Sequence, residues 1–426
     1  MDVTQDTAVR PERAFLVGVQ TEKIPKAEAE SLLSELGGLA STLGLEEAGR
    51  ILVRLRERNP ALLLGTGKSD EIVAAAKAQD ADSILFDHQL TPTQQRNWEE
   101  LSGLKAYDRN ELIIRIFASR AHTREASLQV ELARLEYSLP RLAHSYDALS
   151  RQRGGRYGTK GSGEQKIELD RREIEHRIHE IKDELKDVRM SRDVQRARRE
   201  KASVPRAAIV GYTNAGKSSL LNVLAAASVL AQDKLFATLD PTTRRMSLSR
   251  GGSLLLTDTV GFVRNLPHHL VEAFKATLEE AAQADLLVEV VDASDPEADV
   301  RMAATGKVLR EIGAGEIPRV LALNKIDLVT DPAFLDGWKD RFPGGVPVSA
   351  KTGSGVRELS AAVEDKLTAA SGEARLRVPD AEYAMVALLH REASILEEGR
   401  EDDATLLRAR LPARLESRFE KYRIGG

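Results

Sequence analysis

Apolar and polar positions along this chain change period several times, and each change marks a new kind of element. Residues 14–19, Ala-Phe-Leu-Val-Gly-Val, form a short apolar run suited to a strand, whereas residues 26–42 place Ala29, Leu32, Leu33 and Leu36 at helical spacing. The alternation continues with strands expected at 49–56 and 82–86 and helices at 70–79 and 92–104. Strands and helices alternating at such lengths predict a small α/β domain over residues 1–118. Within it, Gly65-Thr-Gly-Lys68 predicts a turn between strand and helix with Lys68 in solvent, because Leu62 stands where a phosphate-binding loop needs its first glycine. Asp87-His88 predicts a capped turn, since one carboxylate and one imidazole make a poor metal site.

Residues 119–204 follow a longer rhythm. Leu128, Leu132, Leu135, Leu139 and Leu142 recur at spacings of four and three, and Ile167, Ile174, Ile178, Ile181, Leu185 and Val188 do much the same. Two such stripes predict an antiparallel pair of long helices whose seams bury one another. Pro140 is expected to end or kink the first arm near its tip. The link over 150–165 is glycine-rich and carries Arg151, Arg153, Arg156 and Lys160, so it is expected to be mobile when free and attractive to an anion. Along the second arm Arg189, Arg192, Arg196, Arg198, Arg199 and Lys201 gather toward the end, which suits either a solvated helix face or RNA phosphate, with RNA preferred.

Residues 207–210, 286–291 and 319–323 show a third pattern, near-continuous apolar runs with no polar face, as expected of a parallel sheet covered on both sides. Helices at 218–226, 271–282 and 301–312 would supply the cover, and a strand pair is expected at 246–248 and 252–257. The first of these runs ends in Gly211-Tyr212-Thr213-Asn214-Ala215-Gly216-Lys217-Ser218-Ser219. Such a loop turns backbone N–H groups and a helix N-terminus toward a phosphate chain, Lys217 adds a point charge, and the Ser218 hydroxyl suits Mg²⁺. Asp258-Thr-Val-Gly261 follows, with Asp258 placed to hold the Mg²⁺ water shell and the Gly261 N–H free to approach a γ-phosphate. A threonine between these motifs must reach both, and Thr238 is favoured over Thr242 and Thr243.

The last two motifs read the base. In Asn324-Lys325-Ile-Asp327 the carboxylate accepts hydrogen bonds from guanine N1 and N2, Lys325 stacks along the ring, and Asn324 ties this loop to the phosphate loop. In Ser349-Ala350-Lys351 the Ala350 N–H is expected to face guanine O6. Four motifs in this order define a guanine nucleotide switch domain over 205–370, with Lys217, Thr238 and Gly261 as the catalytic set and Ser218, Thr238 and Asp258 around Mg²⁺. A metabolic kinase would give Asn324 to Asp327 no task. Phe262 sits where many small GTPases carry a glutamine that orients the attacking water, and a phenyl ring cannot do that, so hydrolysis by the chain alone is expected to be slow.

Composition narrows the setting. The chain has 426 residues, 42% hydrophobic and 30% charged, and a net charge of -4, so any pull on nucleic acid must be local. With no cysteine, disulfides and thiolate chemistry are excluded. No basic start with an apolar core opens the chain and no run approaches a membrane span, making a cytoplasmic location the expectation. Residues 371–426 predict a small α+β domain, with strands at 374–378 and 405–411, helices at 381–389 and 413–422, and His390 and Glu392 at the surface.

These motifs resemble those of the HflX family of translation-factor-class GTPases, through Gly211 to Ser219, Leu235-Phe-Ala-Thr-Leu-Asp-Pro-Thr242, Asp258-Thr-Val-Gly-Phe262 and Asn324 to Asp327. Outside the switch domain, Asp87 with Thr91-x-x-Gln94-Gln95-Arg96-Asn97 and Gln129-Val-Glu-Leu-Ala133 carry the likeness further. The resemblance implies binding to the large ribosomal subunit and its RNA, GTP-dependent splitting of stalled or idle complete ribosomes under stress, and hydrolysis stimulated by the ribosome. It also implies a K⁺ ion beside Asn214. In Thr159-Lys-Gly-Ser-Gly-Glu-Gln165, Ser162 and Gln165 replace the proline and the final threonine that the family's link normally carries. A GTPase of ribosome assembly or tRNA modification, and an RNA chaperone regulated by nucleotide, are the alternatives. A monomer is the expected state.

Overall fold

The computed structural model describes residues 10–152, 160–200, 204–225, 235–236, 239–249, 253–264, 275–330, 337–338, 341–369, 372–411, 415 and 418–424. These fall into two compact units, the first up to Asp187 and the second from Val188 on. Thr238 lies outside the described residues, as do the side chains of Arg151, Arg153, Arg156, Lys160 and the cluster Arg189 to Lys201. Among the described residues no helix is long and apolar enough to cross a membrane.

The first unit opens with β1 (Arg13–Gln20), α1 (Lys26–Thr42), β2 (Glu46–Arg54), α2 (Thr66–Ala78), β3 (Ser83–Phe86), α3 (Pro92–Ser102), β4 (Lys105–Asp108) and α4 (Arg109–Arg120). The strands form a parallel sheet in the order β2-β1-β3-β4. Phe15, Val17, Ile72, Ile84, Phe86 and Trp98 fill its core, where the Trp98 ring packs 4.8 Å from Phe86 and its indole N–H donates to the Leu62 carbonyl. Two expectations change here. Gly65 caps α2, so Thr66, Gly67 and Lys68 form its first turn and not a loop, with Lys68 paired to Glu71. Asp87 does not cap a turn by itself; its carboxylate pairs at 2.9 Å with the buried Arg109, which also meets Glu35 at 3.1 Å.

From this domain rise α5 (Arg124–Gln152) and α6 (Lys160–Glu200). Leu128, Leu132, Ile181 and Leu185 form a buried seam flanked by Leu135 and Ile178, and Arg124 pairs with Glu184 at 3.0 Å while Glu131 pairs with Arg177 at 2.9 Å, so sequence numbers rise on one helix as they fall on the other. The pair is antiparallel, as the stripes predict. Pro140 does not end α5, which runs on to Gln152. A proline inside a helix forfeits one backbone bond, and the next residue supports this turn by other means. The Arg141 guanidinium donates to the Tyr137 carbonyl, the Gln95 side chain, the Leu90 carbonyl and the buried Asp108 carboxylate. The glycine-rich link is also shorter than expected, since both of its ends are helical and 153–159 alone separate α5 from α6.

Burial pushes the Asp108 carboxyl above its usual range, while the Glu111 and Leu90 N–H groups and Arg141 favour its charged form. Removing Arg141 takes from that buried carboxyl the cation that favours its charge, and from α5 the anchors to Gln95 and Leu90, so Arg141→Ala should cost about 2–3 kcal/mol, read as a lower unfolding midpoint of the full chain.

The second unit contains β5 (Arg206–Gly211), α7 (Lys217–Leu224), β6 (Thr242–Ser247), β7 (Ser253–Asp258), α8 (Lys275–Ala282), β8 (Leu286–Asp292), α9 (Ala298–Glu311), β9 (Arg319–Asn324), β10 (Val346–Pro347) and α10 (Val356–Ala369). Its six-stranded sheet runs β10-β9-β8-β5-β7-β6, parallel except where β6 meets β7. Ile209, Val288, Val290, Leu256 and Ala322 from the sheet pack with Leu220, Leu221 and Leu359 from α7 and α10. All four sequence motifs thus leave the carboxyl edge of this sheet, where open α/β sheets bind ligands. A smaller layer follows, with β11 (Gly372–Pro379), α11 (Tyr383–Glu392), β12 (Ser394–Glu401) and β13 (Ala404–Leu411), the antiparallel strands in the order β11-β13-β12. Leu376, Leu389, Leu407 and Phe419 form its core, and His390 pairs at the surface with Glu398.

Candidate functional site

The phosphate loop hangs between the end of β5 and the start of α7. Gly211 has φ of 146° and Gly216 of 91°, conformations that favour glycine, and an added Cβ at Gly211 would run into the Val290 carbonyl. Asn214, exposed at the loop's tip, also takes the left-handed conformation, with φ of 60°. Thr213 and Ala215 are buried beneath the loop, and the Thr213 hydroxyl accepts the Phe236 N–H at 2.8 Å. Lys217, Ser218 and Ser219 form the first turn of α7.

Lys217 is buried and its ammonium donates to the Tyr212 carbonyl at 2.8 Å. Burial pushes its pKa down to about 8, with Asp258 opposing the shift and Lys325 adding to it. A phosphate chain restores the charge. Above pH 8 binding therefore takes up a proton, and GDP affinity should fall about tenfold between pH 7 and pH 9. Titration calorimetry in buffers of different ionisation enthalpy reads that proton directly.

Ser218 Oγ donates to Asp258 Oδ2 at 2.5 Å. Two hard oxygen donors side by side at the foot of the loop fit Mg²⁺, a small hard cation. Thr242 and Thr243 are part of β6, and the Thr243 hydroxyl is 2.9 Å from that of Thr257 on β7. Neither therefore stands in the segment that leads into the sheet. Gly261 lies against the loop, where an added Cβ would be 2.8 Å from Thr213 Cα and 3.0 Å from Lys217 Nζ. Phe262 is 1% exposed. Its ring is buried in the core.

The two loops expected to read the base are tied together by short side chains. Asn324 donates to the Ala215 carbonyl at 2.8 Å and accepts the Ala350 N–H at 3.0 Å, so one buried amide holds the phosphate loop and both base loops. The Ala350 N–H, expected to face guanine O6, is engaged there instead. Asp327 is exposed on a 3₁₀ turn (Ile326–Leu328) and held by the Ser349 hydroxyl at 2.6 Å. Lys325 has φ of 64° and pairs with Asp292 at 2.8 Å. Lys351 is exposed beyond them. Sequence reasoning missed Asp292, although an acid at the end of an apolar strand beside this motif was a usable signal, and it missed the side chain of Tyr212 altogether.

A parallel sheet with such a loop and such turns at its carboxyl edge defines a P-loop GTPase, an enzyme that hydrolyses GTP to GDP and phosphate. Family models described as GTP-binding GTPase N-terminal, GTP-binding GTPase middle region and 50S ribosome-binding GTPase match residues 30–118, 120–199 and 206–325. The chain is 46% identical over 422 residues to GTPase HflX of Akkermansia muciniphila, covering 96% of this chain and 97% of that one. It is 43% identical over 382 residues to GTPase HflX of Escherichia coli, covering 89% of each. The chain belongs to the HflX family of GTPases. A solved GTP-binding protein from Sulfolobus solfataricus in complex with GDP is 24% identical with a TM-score of 0.44, covering 83% of this chain and 98% of that one, a likeness too loose to add to the assignment.

Proposed function

We propose that this GTPase binds the large ribosomal subunit and its RNA, and uses GTP binding and hydrolysis to split or rescue stalled or idle ribosomes under stress. The observation that carries this reading is the match of residues 206–325 to a 50S ribosome-binding GTPase. Phe262 supports it, because a buried ring cannot orient water and the missing element must come from elsewhere. Lys217 and the phosphate loop would hold the phosphates, Gly261 and Thr238 would read the γ-phosphate, and Asp327 would select guanine. Ser218, Asp258 and Thr238 would hold Mg²⁺, whose charge offsets that of the β- and γ-oxygens when bound.

The test is GTP hydrolysis by the purified chain, alone and with large subunits or complete ribosomes, while light scattering follows splitting. Stimulation of at least tenfold together with GTP-dependent splitting is the expected result, on the order of a partner's usual contribution or below it. Hydrolysis unchanged by ribosomes, with binding to tRNA or to immature subunits instead, would turn the proposal toward modification or assembly. Asn214, exposed at the tip of the loop, is the proposed neighbour of a K⁺ ion. Turnover should then be faster in K⁺ than in Na⁺ at equal ionic strength, and equal rates remove the ion from the scheme.

A further inference from the structure

Tyr212 fills one of the four variable positions of the phosphate loop, where the motif makes no demand on the side chain. Its side chain is nevertheless tied into the structure. Tyr212 is buried, its hydroxyl accepts the Arg264 backbone N–H at 2.8 Å, and the Arg301 guanidinium lies over its ring, 5.1 Å from the centroid. Its carbonyl accepts the Lys217 ammonium. On either side, the Thr213 N–H donates to the Phe262 carbonyl at 2.8 Å and the Phe262 N–H to the Gly211 carbonyl at 3.2 Å. The segment from Gly261 to Arg264 is therefore stitched to the phosphate loop, with Gly261 close against Lys217 and Thr213.

We propose that Tyr212 is a positioning residue whose hydroxyl holds the segment from Gly261 to Arg264 in the arrangement that suits GDP, and so sets the preference between GDP and GTP. A γ-phosphate needs room between Lys217 and Gly261, and here a Cβ added at Gly261 would already be 3.0 Å from the Lys217 ammonium. Parting them pulls the segment away from the loop, against the bond between Tyr212 and the Arg264 N–H. GDP has no γ-phosphate and makes no such demand. The hydroxyl therefore acts on one nucleotide and not the other, which is the condition for shifting a two-state equilibrium. The inference rests on the nucleotide site described above and is independent of the ribosome reading.

Tyr212→Phe keeps the ring, the Arg301 contact and the backbone carbonyl, and removes the hydroxyl alone. Calorimetry on the full chain with Mg²⁺ would compare GDP with the non-hydrolysable analogue GMPPNP. The expected result is analogue binding tighter by about three- to tenfold, the worth of one hydrogen bond, with GDP affinity kept within about twofold. An unchanged ratio of the two affinities, or a ratio shifted toward GDP, overturns the proposal. Tyr212→Leu removes the ring as well; if it weakens both nucleotides while the phenylalanine variant leaves their ratio alone, the residue serves packing only. A wild-type chain that bound neither nucleotide would overturn the site itself, a failure distinct from an unchanged ratio.

Discussion

Asp327→Asn protein is expected to lose GTP and to accept xanthosine triphosphate in its place. Guanine offers two N–H donors to the exposed Asp327 carboxylate, each worth about 1.5–3 kcal/mol to a charged acceptor. An amide keeps one acceptor and turns its own N–H₂ toward the other donor, so GTP affinity should fall by roughly one to two orders of magnitude. Xanthine carries a carbonyl where guanine carries its amino group, and the new amide N–H₂ can donate to it. The Ser349 hydroxyl, 2.6 Å from Asp327 Oδ1, can still donate to an asparagine oxygen and so keep the side chain turned the same way. Hydrolysis measured with GTP, xanthosine triphosphate and ATP checks the exchange, and undiminished use of GTP would show that the base is read elsewhere.

Gly261→Ala should separate binding from turnover. A methyl group at this position would meet Thr213 Cα at 2.8 Å and Lys217 Nζ at 3.0 Å, and the first of these is backbone that cannot swing aside. The segment must move off the loop, taking with it the N–H that a γ-phosphate would meet. Losing one such donor costs on the order of 10²–10³ in rate. GDP makes no use of it. Single-turnover hydrolysis should therefore fall at least about a hundredfold while GDP affinity stays within a few fold, whereas equal losses in both would place the damage in the phosphate loop.

The nucleotide motifs were legible in the sequence because each is a short run whose chemistry does not depend on distant partners. Gly211, Gly216, Lys217 and Asp327 announce themselves by type and spacing. The apolar strands β5, β8 and β9 were equally plain, being buried on both faces. β4 was not, since four residues starting at an exposed Lys105 carry no period. Nor was β12, whose Glu397, Glu398, Arg400 and Glu401 suit an edge more than a core. That α5 runs on past Pro140 was hidden for a different reason: Arg141 anchors this turn through Tyr137, Gln95, Leu90 and Asp108, and those partners lie up to 51 positions away. The tie between Tyr212 and Arg264 was invisible on the same ground, because neither residue type implies the other.

Asn324 has a consequence for the order in which the domain is made. Its amide fastens the Ala215 carbonyl, 109 positions earlier in the chain, and takes up the Ala350 N–H, 26 positions later. During synthesis the phosphate loop thus emerges long before the side chain that secures it, and that side chain waits in turn for its second partner. Chains interrupted before Asn324 carry the whole phosphate-binding sequence without the amide that fastens its Ala215 carbonyl. Nucleotide capture should begin abruptly once residue 350 has cleared the synthesising machinery, so that a growing chain does not hydrolyse or sequester GTP before it is nearly finished.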